Sequence, residues 1–371
     1  MSTDYKDLFI PTSEIYLLNH AVGRPPVSTQ QAWAAGFLSP WEQDGESVWP
    51  KWLESIWGFR SALADLLNGQ ASEFCPQTNL SGALTKVLYS LPKADNRSTI
   101  LYSEQDFPSI AYVLQKAESL GYKLKAVSDD SDLASLDAWT AALTDEVAIA
   151  LITHVQSNTG KQVPVSELTR IARERGVISI VDVAQSVGCV PIDLCQWSAD
   201  FVIGSCVKWL CGGPGAGFLW CSSDIIDQCK PVDVGWFSHE DPFEFEINSF
   251  RYAKDALRFW GGTPSVQPFS VAANSIATIH TIGVENIRDH NLALTQCIID
   301  RVPRECIVTP TEKAHRGGSL VLALPLEQQN QFERKLREAS VLFDTRPTGI
   351  RISPHIYNDA AEIEVVLDCF E

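Results

Sequence analysis

Two residues of opposite charge, Asp182 and Lys208, stand at the ends of apolar runs in the stretch from Val177 to Trp220. The run from Val177 to Val181, VISIV, is β-branched but for Ser179 and bounded by turn signals, which fits a strand covered on both faces. Such a strand offers chemistry only at its end, where Asp182 stands. A second strand-like run, Phe201 to Gly204, leads to Ser205 and Lys208, and a glycine-rich turn then enters Gly217-Phe218-Leu219-Trp220. Singly, an Asp after a strand serves as a helix cap and a Lys beside a Trp as a snorkelling surface side chain. Together they supply what pyridoxal phosphate (PLP) needs. Its aldehyde requires an amine that forms a Schiff base and shuttles protons, and its pyridine nitrogen requires a carboxylate that keeps it protonated as an electron sink.

The elements that must position this pair alternate. From about Thr99 to Val181 strand and helix patterns follow one another, which predicts an α/β fold with a mostly parallel sheet, helices on both faces, and active residues where strands end. The segment STILYSEQDFPSIAYVLQKAESLGYKLKAV reads as strand, turn, helix and strand, and VAIALITHVQSNTG as a strand ending in Asn158, Thr159 and Gly160. VPVSELTRIARERG is an amphipathic helix with Ser166 as its cap. Upstream, Thr78, Asn79 and Ser81 precede an apolar-periodic helix, so free amides and hydroxyls converge at a positive dipole end suited to a phosphate; an ordinary capped helix reads the same way. WGFRSALADLLNG is helical and stops at Gly69. Five tryptophans between Gln30 and Asn68 fit core packing, a dimer contact or a substrate wall. From Ser265 the pattern turns to long helical periodicity and then short strands, the mark of a smaller α+β domain. The expected division is an N-terminal arm (1–30), a large cofactor-binding domain (31–264) and a small C-terminal domain (265–371).

The chain has 371 residues and a formal charge of -17, with 45% hydrophobic residues. That length supports two domains, and an acidic surface disfavours nucleic acid or an anionic membrane as partner. No basic region precedes an apolar core at the start, and no run approaches the roughly 20 apolar residues that span a bilayer. The ten cysteines contain no C-x-x-C pair, so reduced buried thiols and a cytoplasmic location are expected.

The wording DVAQSVGCVPIDL, SADF, SCVKWL and GGPGAGFLW resembles the class V aminotransferase superfamily of fold type I PLP enzymes. It is nearest to kynureninases, which carry Asp-x-Ala-His-x-x-Gly and Lys-Tyr/Trp-Leu-x-Gly-Gly-Pro-Gly. The resemblance covers nearly the whole chain. It implies that Asn79, Leu80 and Ser81 take the place of the phosphate loop, that Phe107 of Phe-Pro-Ser lies flat on the cofactor with Ser109 beside it, and that Asn158 reaches the cofactor's phenolic oxygen or the substrate. It places Gln185 and Ser205 around the cofactor with Asp182 and Lys208. GWFSH and RFWGGTP imply that Trp236 and Thr263 reach the phosphate of a neighbouring subunit, hence a homodimer with sites at the interface. GIRISPHIYND implies that Arg351 pairs bidentately with a substrate α-carboxylate, a geometry Lys cannot copy; Arg346 is expected to be structural. His20, in the arm, is a candidate substrate contact.

With these roles an α-amino acid is the implied substrate, and Lys208, released when the substrate amine takes over the Schiff base, is the base that removes the α-proton. Kynureninase-like cleavage of the side chain is the first expectation. Two positions depart from that family: its Tyr before the Lys is Val207 here, and its His is Gln185. Cysteine desulfurases share the Gln and the Ser205 position, but they need a nucleophilic Cys, and none lies between Cys306 and Cys369. A carbon–sulfur β-lyase, an aminotransferase and an epimerase stay open. A PLP-binding protein without turnover is the non-enzymatic alternative, against which the intact Asp182, Lys208 and Arg351 argue.

Overall fold

The computed structural model describes residues 5–43, 47–92, 96–128 and 132–370. In the N-terminal arm a two-residue strand, β1 (Ile15–Tyr16), precedes the main sheet. That sheet contains β2 (Phe74–Gln77), β3 (Thr99–Ser103), β4 (Lys123–Val127), β5 (Val147–Thr153), β6 (Ile178–Asp182), β7 (Phe201–Ser205) and β8 (Gly217–Cys221), in the order β2-β8-β7-β6-β5-β3-β4. Pairing is parallel from β4 through β3, β5 and β6 to β7; β8 runs antiparallel to β7 and β2. β5 is buried at every residue, as its unbroken apolar run requires of a strand covered on both faces. The mostly parallel α/β sheet is thus observed, and β6 and β7 each run one residue further than their apolar patterns indicate, to Asp182 and Ser205.

Two helix ends differ from expectation. The helix Trp49–Leu67 stops at Asn68, which takes the left-handed conformation (φ 54), and the N–H of Gly69 then reaches back to the carbonyl of Ala64 at 3.0 Å. Asn tolerates that conformation, so the glycine is not the residue that breaks the helix. Ser166 is not a cap. The helix Val165–Glu174 starts directly after Pro164, whose φ of -76° is already near helical, and Ser166 Oγ instead reaches the carbonyl of Gln196 at 3.4 Å.

A second, three-stranded antiparallel sheet is formed by β9 (Leu320–Leu322), β11 (Asp344–Arg346) and β12 (Gly349–Ile352), while β10 (Val341–Leu342) pairs with β1. Buried apolar side chains form two clusters. The larger surrounds the seven-stranded sheet and takes in Ile287 and, further on, Ile356 and Tyr357; the smaller holds Leu294, Ile298, Leu322 and Ile352 together with Leu17 of the arm. The helix Val284–Arg301 joins the two. The arm is therefore anchored in the small cluster by Leu17, and a few residues on, the Gly23 N–H donates to the Val207 carbonyl at 2.8 Å, beside Lys208. Among the described residues no helix is long and apolar enough to cross a membrane and no cluster of ligands suits a metal ion; all ten cysteines are free thiols.

Candidate active site

The parallel strands deliver their carboxyl ends to one cleft. At the end of β2, Asn79 caps the helix Leu80–Ser90, its Oδ1 accepting from the Gly82 N–H at 2.8 Å. The amides of Leu80 and Ser81 have no acceptor within the helix, and both residues line the cleft with Ser205 of β7. This corner suits an anion with several acceptor oxygens. At the end of β3, Phe107 precedes the helix Pro108–Ala117 in an extended conformation; it is 44% exposed and lines the cleft. Behind it Asp106 is buried, accepting from the Ser103 N–H at 3.0 Å and from Gln156 Nε2 at 3.3 Å, and burial pushes its carboxyl up to about 6.

Asp182 closes β6 with only 5% of its surface exposed. Burial raises its carboxyl above the usual range, while the Ala184 N–H, 2.8 Å from Oδ1, and the Lys208 ammonium pull the other way. A buried acid of this kind is the complement of a protonated ring nitrogen. Lys208 Nζ lies 5.7 Å from the centroid of the Phe107 ring. Burial lowers its ammonium to about 8; Asp182 opposes that shift, and the guanidiniums of Arg351 and Arg346 add to it. Free amides at a helix end, a buried carboxylate, a flat aromatic face and an amine easily stripped of its proton make a donor set that fits PLP. Leu80, Ser81 and Ser205 would hold its phosphate, Asp182 its ring nitrogen, Phe107 its ring face and Lys208 its aldehyde.

Eight of the residues singled out in the sequence therefore share the cleft: Leu80, Ser81, Phe107, Ser109, Asp182, Gln185, Ser205 and Lys208. Gln185 is engaged at both ends of its amide, donating to the His20 carbonyl and accepting from Trp209 Nε1, each at 3.1 Å. Arg351 lies beside the cleft on β12, 4% exposed, with Nη1 on the Ser157 carbonyl at 2.6 Å and Nη2 on Asp344 Oδ2 at 2.7 Å. Its buried Nε has no acceptor among the described residues. His20 is held by Ser353 Oγ, 2.6 Å from Nδ1, and burial pushes its imidazole down to about 4, so it is neutral at pH 7.

The remaining residues lie elsewhere. Asn158 does not line the cleft; its carbonyl accepts from Thr348 Oγ1 at 2.9 Å, and the preceding Ser157 faces the cleft instead. Trp236 packs edge-on against Trp49 and Phe237 and lines a separate surface cleft with Phe245 and Phe250. Thr263 lines a third cavity, with Thr78, Lys86 and Trp260. The sequence reading missed Thr153, Ser157 and Ala184, which line the cleft, and Asp106 and Asp344. The signals available were a polar residue closing an apolar strand, in the case of Thr153, and an acid beside a site residue, in the case of Asp106.

Residues 51–366 match the family model described as Aminotransferase class-V. The chain is 30% identical over 358 residues to the kynureninase of Deinococcus radiodurans, covering 92% of this chain and 85% of that one. It is 27% identical over 327 residues to YcbU, an uncharacterised aminotransferase of Bacillus subtilis strain 168, covering 86% and 84% respectively. Among solved structures, the cystine C-S lyase C-DES in complex with its product cysteine persulfide superposes with a TM-score of 0.86 over 97% of both chains at 20% identity.

Proposed function

The chain belongs to the class-V aminotransferase family of PLP-dependent enzymes, and from that premise we propose that it cleaves the side chain of an α-amino acid in the manner of a kynureninase. The observation that carries the proposal is the convergence of Lys208, Asp182 and Phe107 on one cleft with a bare helix N-terminus, in a chain 30% identical to a kynureninase. When bound, the cofactor supplies an aldehyde that captures amines and a ring that withdraws electrons from the substrate's α-carbon.

The chain's own residues do the rest. With its ammonium lowered to about 8, Lys208 is neutral in about a tenth of molecules at pH 7, against about one in three thousand for an ordinary lysine. It is thus poised to attack an aldehyde and to take up the proton at the substrate's Cα. Asp182 holds a proton or positive charge at the inner end of the cleft. Phe107 fixes the plane of the ring it faces, which is worth about 1 kcal/mol beyond burial and acts as orientation. The amides of Leu80 and Ser81, with the hydroxyls of Ser81 and Ser205, bind the phosphate. Arg351, whose buried Nε still needs an acceptor, binds the substrate carboxylate.

The same reading makes the protein a homodimer. Thr263 and Trp236 stand away from their own cleft, and Trp236 lies beside exposed apolar side chains, including Phe245 (72% exposed) and Ile247 (93%), that a second copy would cover. Free thiols throughout support a reducing compartment, and the cytoplasm is the proposed location. The test is product analysis of the purified holoenzyme with L-kynurenine and with a panel of amino acids. Alanine plus anthranilate supports the proposal. Pyruvate from a sulfur amino acid would replace it with a β-lyase, and dependence on a keto acid with an aminotransferase.

A further inference from the structure

The β11–β12 hairpin carries three charged side chains on one face. Asp344 and Arg351 are cross-strand partners, and Arg346 follows Asp344 by two residues, so strand alternation returns it to the same side. One oxygen, Asp344 Oδ2, is shared among them: it lies 2.7 Å from Arg351 Nη2, 2.8 Å from Arg346 Nε and 3.5 Å from His20 Nε2. The neutral His20 contributes no charge. The hairpin is fastened to the cleft's rim by Arg351 Nη1 on the Ser157 carbonyl and by Thr348 Oγ1 on the Asn158 carbonyl.

Two guanidiniums and one carboxylate leave a single surplus positive charge. Where that charge acts depends on which arginine the carboxylate neutralises. Were Asp344 paired with Arg351 alone, an incoming carboxylate would meet a neutral pair with a negative oxygen turned toward it. Arg346 changes that balance. Its side chain is 45% exposed and, among the described residues, hydrogen-bonds to Asp344 alone, so it approaches the shared oxygen from the solvent side while the 4%-exposed Arg351 keeps an unpaired buried Nε.

We propose that Arg346 is a specificity-determining residue: by neutralising Asp344 it leaves Arg351 with the surplus charge, so that the site takes amino acids in preference to the amines that lack their carboxylate. This rests on the reading of Arg351 as the partner of the substrate carboxylate. Arg346 is not a buried structural tie, because its removal would leave no buried group without a partner.

The experiment compares two probes, L-alanine and ethylamine, which differ only in the carboxylate. Each is titrated into PLP-loaded enzyme, and its Kd is read from the visible band of the bound cofactor. Arg346→Gln should weaken alanine about tenfold and leave ethylamine unchanged, the scale of one half-exposed charge acting within a few ångströms. Arg346→Lys keeps the charge and should keep the preference. Asp344→Asn should tighten alanine, and the double variant Asp344→Asn, Arg346→Gln should recover to within about threefold of wild type, because it restores the same surplus. A role in merely holding Arg351 in place gives the opposite signs: weaker binding in Asp344→Asn and no recovery in the double variant. Either of these results, or an unchanged alanine-to-ethylamine ratio in Arg346→Gln, overturns the proposal. If instead wild type shows no preference for alanine, or Arg351→Gln leaves that preference intact, the reading of Arg351 itself falls.

Discussion

A lysine whose ammonium is lowered to about 8 makes the cofactor-free protein less stable than its fold alone would be, and the size of that cost can be worked out. The folded value of about 8 lies below the ordinary 10.5, so between those two values the unfolded chain binds more protons than the folded one and stability rises with pH. The cost is fully present below pH 8 and gone above 10.5. Integrated, it is about 3 kcal/mol at pH 7 and about half that at pH 9.5, at about 1.4 kcal/mol for each tenfold change in proton affinity. Lys208→Met keeps an unbranched side chain only one atom shorter and removes the charge. The cofactor-free variant should therefore be more stable than cofactor-free wild type at pH 7, by up to about 3 kcal/mol, less whatever Asp182 loses when its neighbouring cation disappears. The assay is urea unfolding of both proteins at pH 7 and 9.5. The gain must shrink at the higher pH, since a neutral lysine costs nothing to bury as an ion. A stability difference between variant and wild type that does not change between pH 7 and pH 9.5 would refute the buried, depressed amine on which the proposed chemistry depends. Activity in the same variant should be abolished.

Three further outcomes follow from the site's geometry. Asp182→Asn, which leaves the ring nitrogen without an acid, should lower kcat/KM at saturating PLP by at least about a hundredfold, the scale of a preorganised charge in a dry site. Phe107→Ala should weaken PLP about fivefold in equilibrium titration and lower kcat less, because it removes a stacking surface worth about 1 kcal/mol and no reacting group. Gly23→Ala should dislodge the arm: a Cβ there would stand 2.1 Å from the Lys208 carbonyl oxygen and 2.6 Å from Cys211 Sγ, so PLP binding and protease resistance of residues 5–28 should fall together. Gly213→Ala is the control, since that residue has φ 71 but meets nothing within 4 Å; it should cost about 1–2 kcal/mol in urea unfolding and retain activity.

Much of this arrangement was legible because the sheet is buried on both faces. In β6 only the small Ser179 interrupts the apolar run, so the first charged residue, Asp182, marks the strand's end, and one loop beyond the next strand comes Lys208. The logic stops at loops. Beyond Thr153 the apolar run of β5 ends and the chain turns through His154 to Gly160, whose φ is 67; Ser157 rather than Asn158 faces the cleft, and no apolar pattern encodes a one-residue choice there. Helix ends failed for a related reason, since several neighbours can each end or begin a helix. Asn68 precedes Gly69 and takes the left-handed turn, and Pro164 precedes Ser166 and starts the helix first. Asp344 was invisible for want of a partner: its meaning comes from facing Arg351 across a hairpin, a register that the string DTRP does not state. The composition change at Ser265 marks the onset of long helices, whereas packing passes from the large cluster to the small one between Ile287 and Leu294, inside one helix.

The two positions at which the chain departs from kynureninases lie in a single piece of structure. Gln185 bridges Trp209, the residue after Lys208, to the carbonyl of His20, and the Val207 carbonyl, the residue before Lys208, accepts from Gly23. The lysine is therefore flanked on both sides by ties to the arm, and the arm in turn is held at Leu17 in the smaller core and at His20 against Ser353. A tyrosine or histidine hydrogen-bonding a cofactor acts on the chemistry directly. A valine that offers only its backbone, beside a glutamine already engaged at both amide ends, acts on where the lysine sits. One hydrogen on Gln185 Nε2 remains for a ligand, so whatever proton transfers follow the first must rely on Lys208 and on groups outside this pair. In the proposed reaction the late proton transfers thus fall to Lys208, whose burial makes its charge easier to remove at neutral pH than that of an exposed lysine.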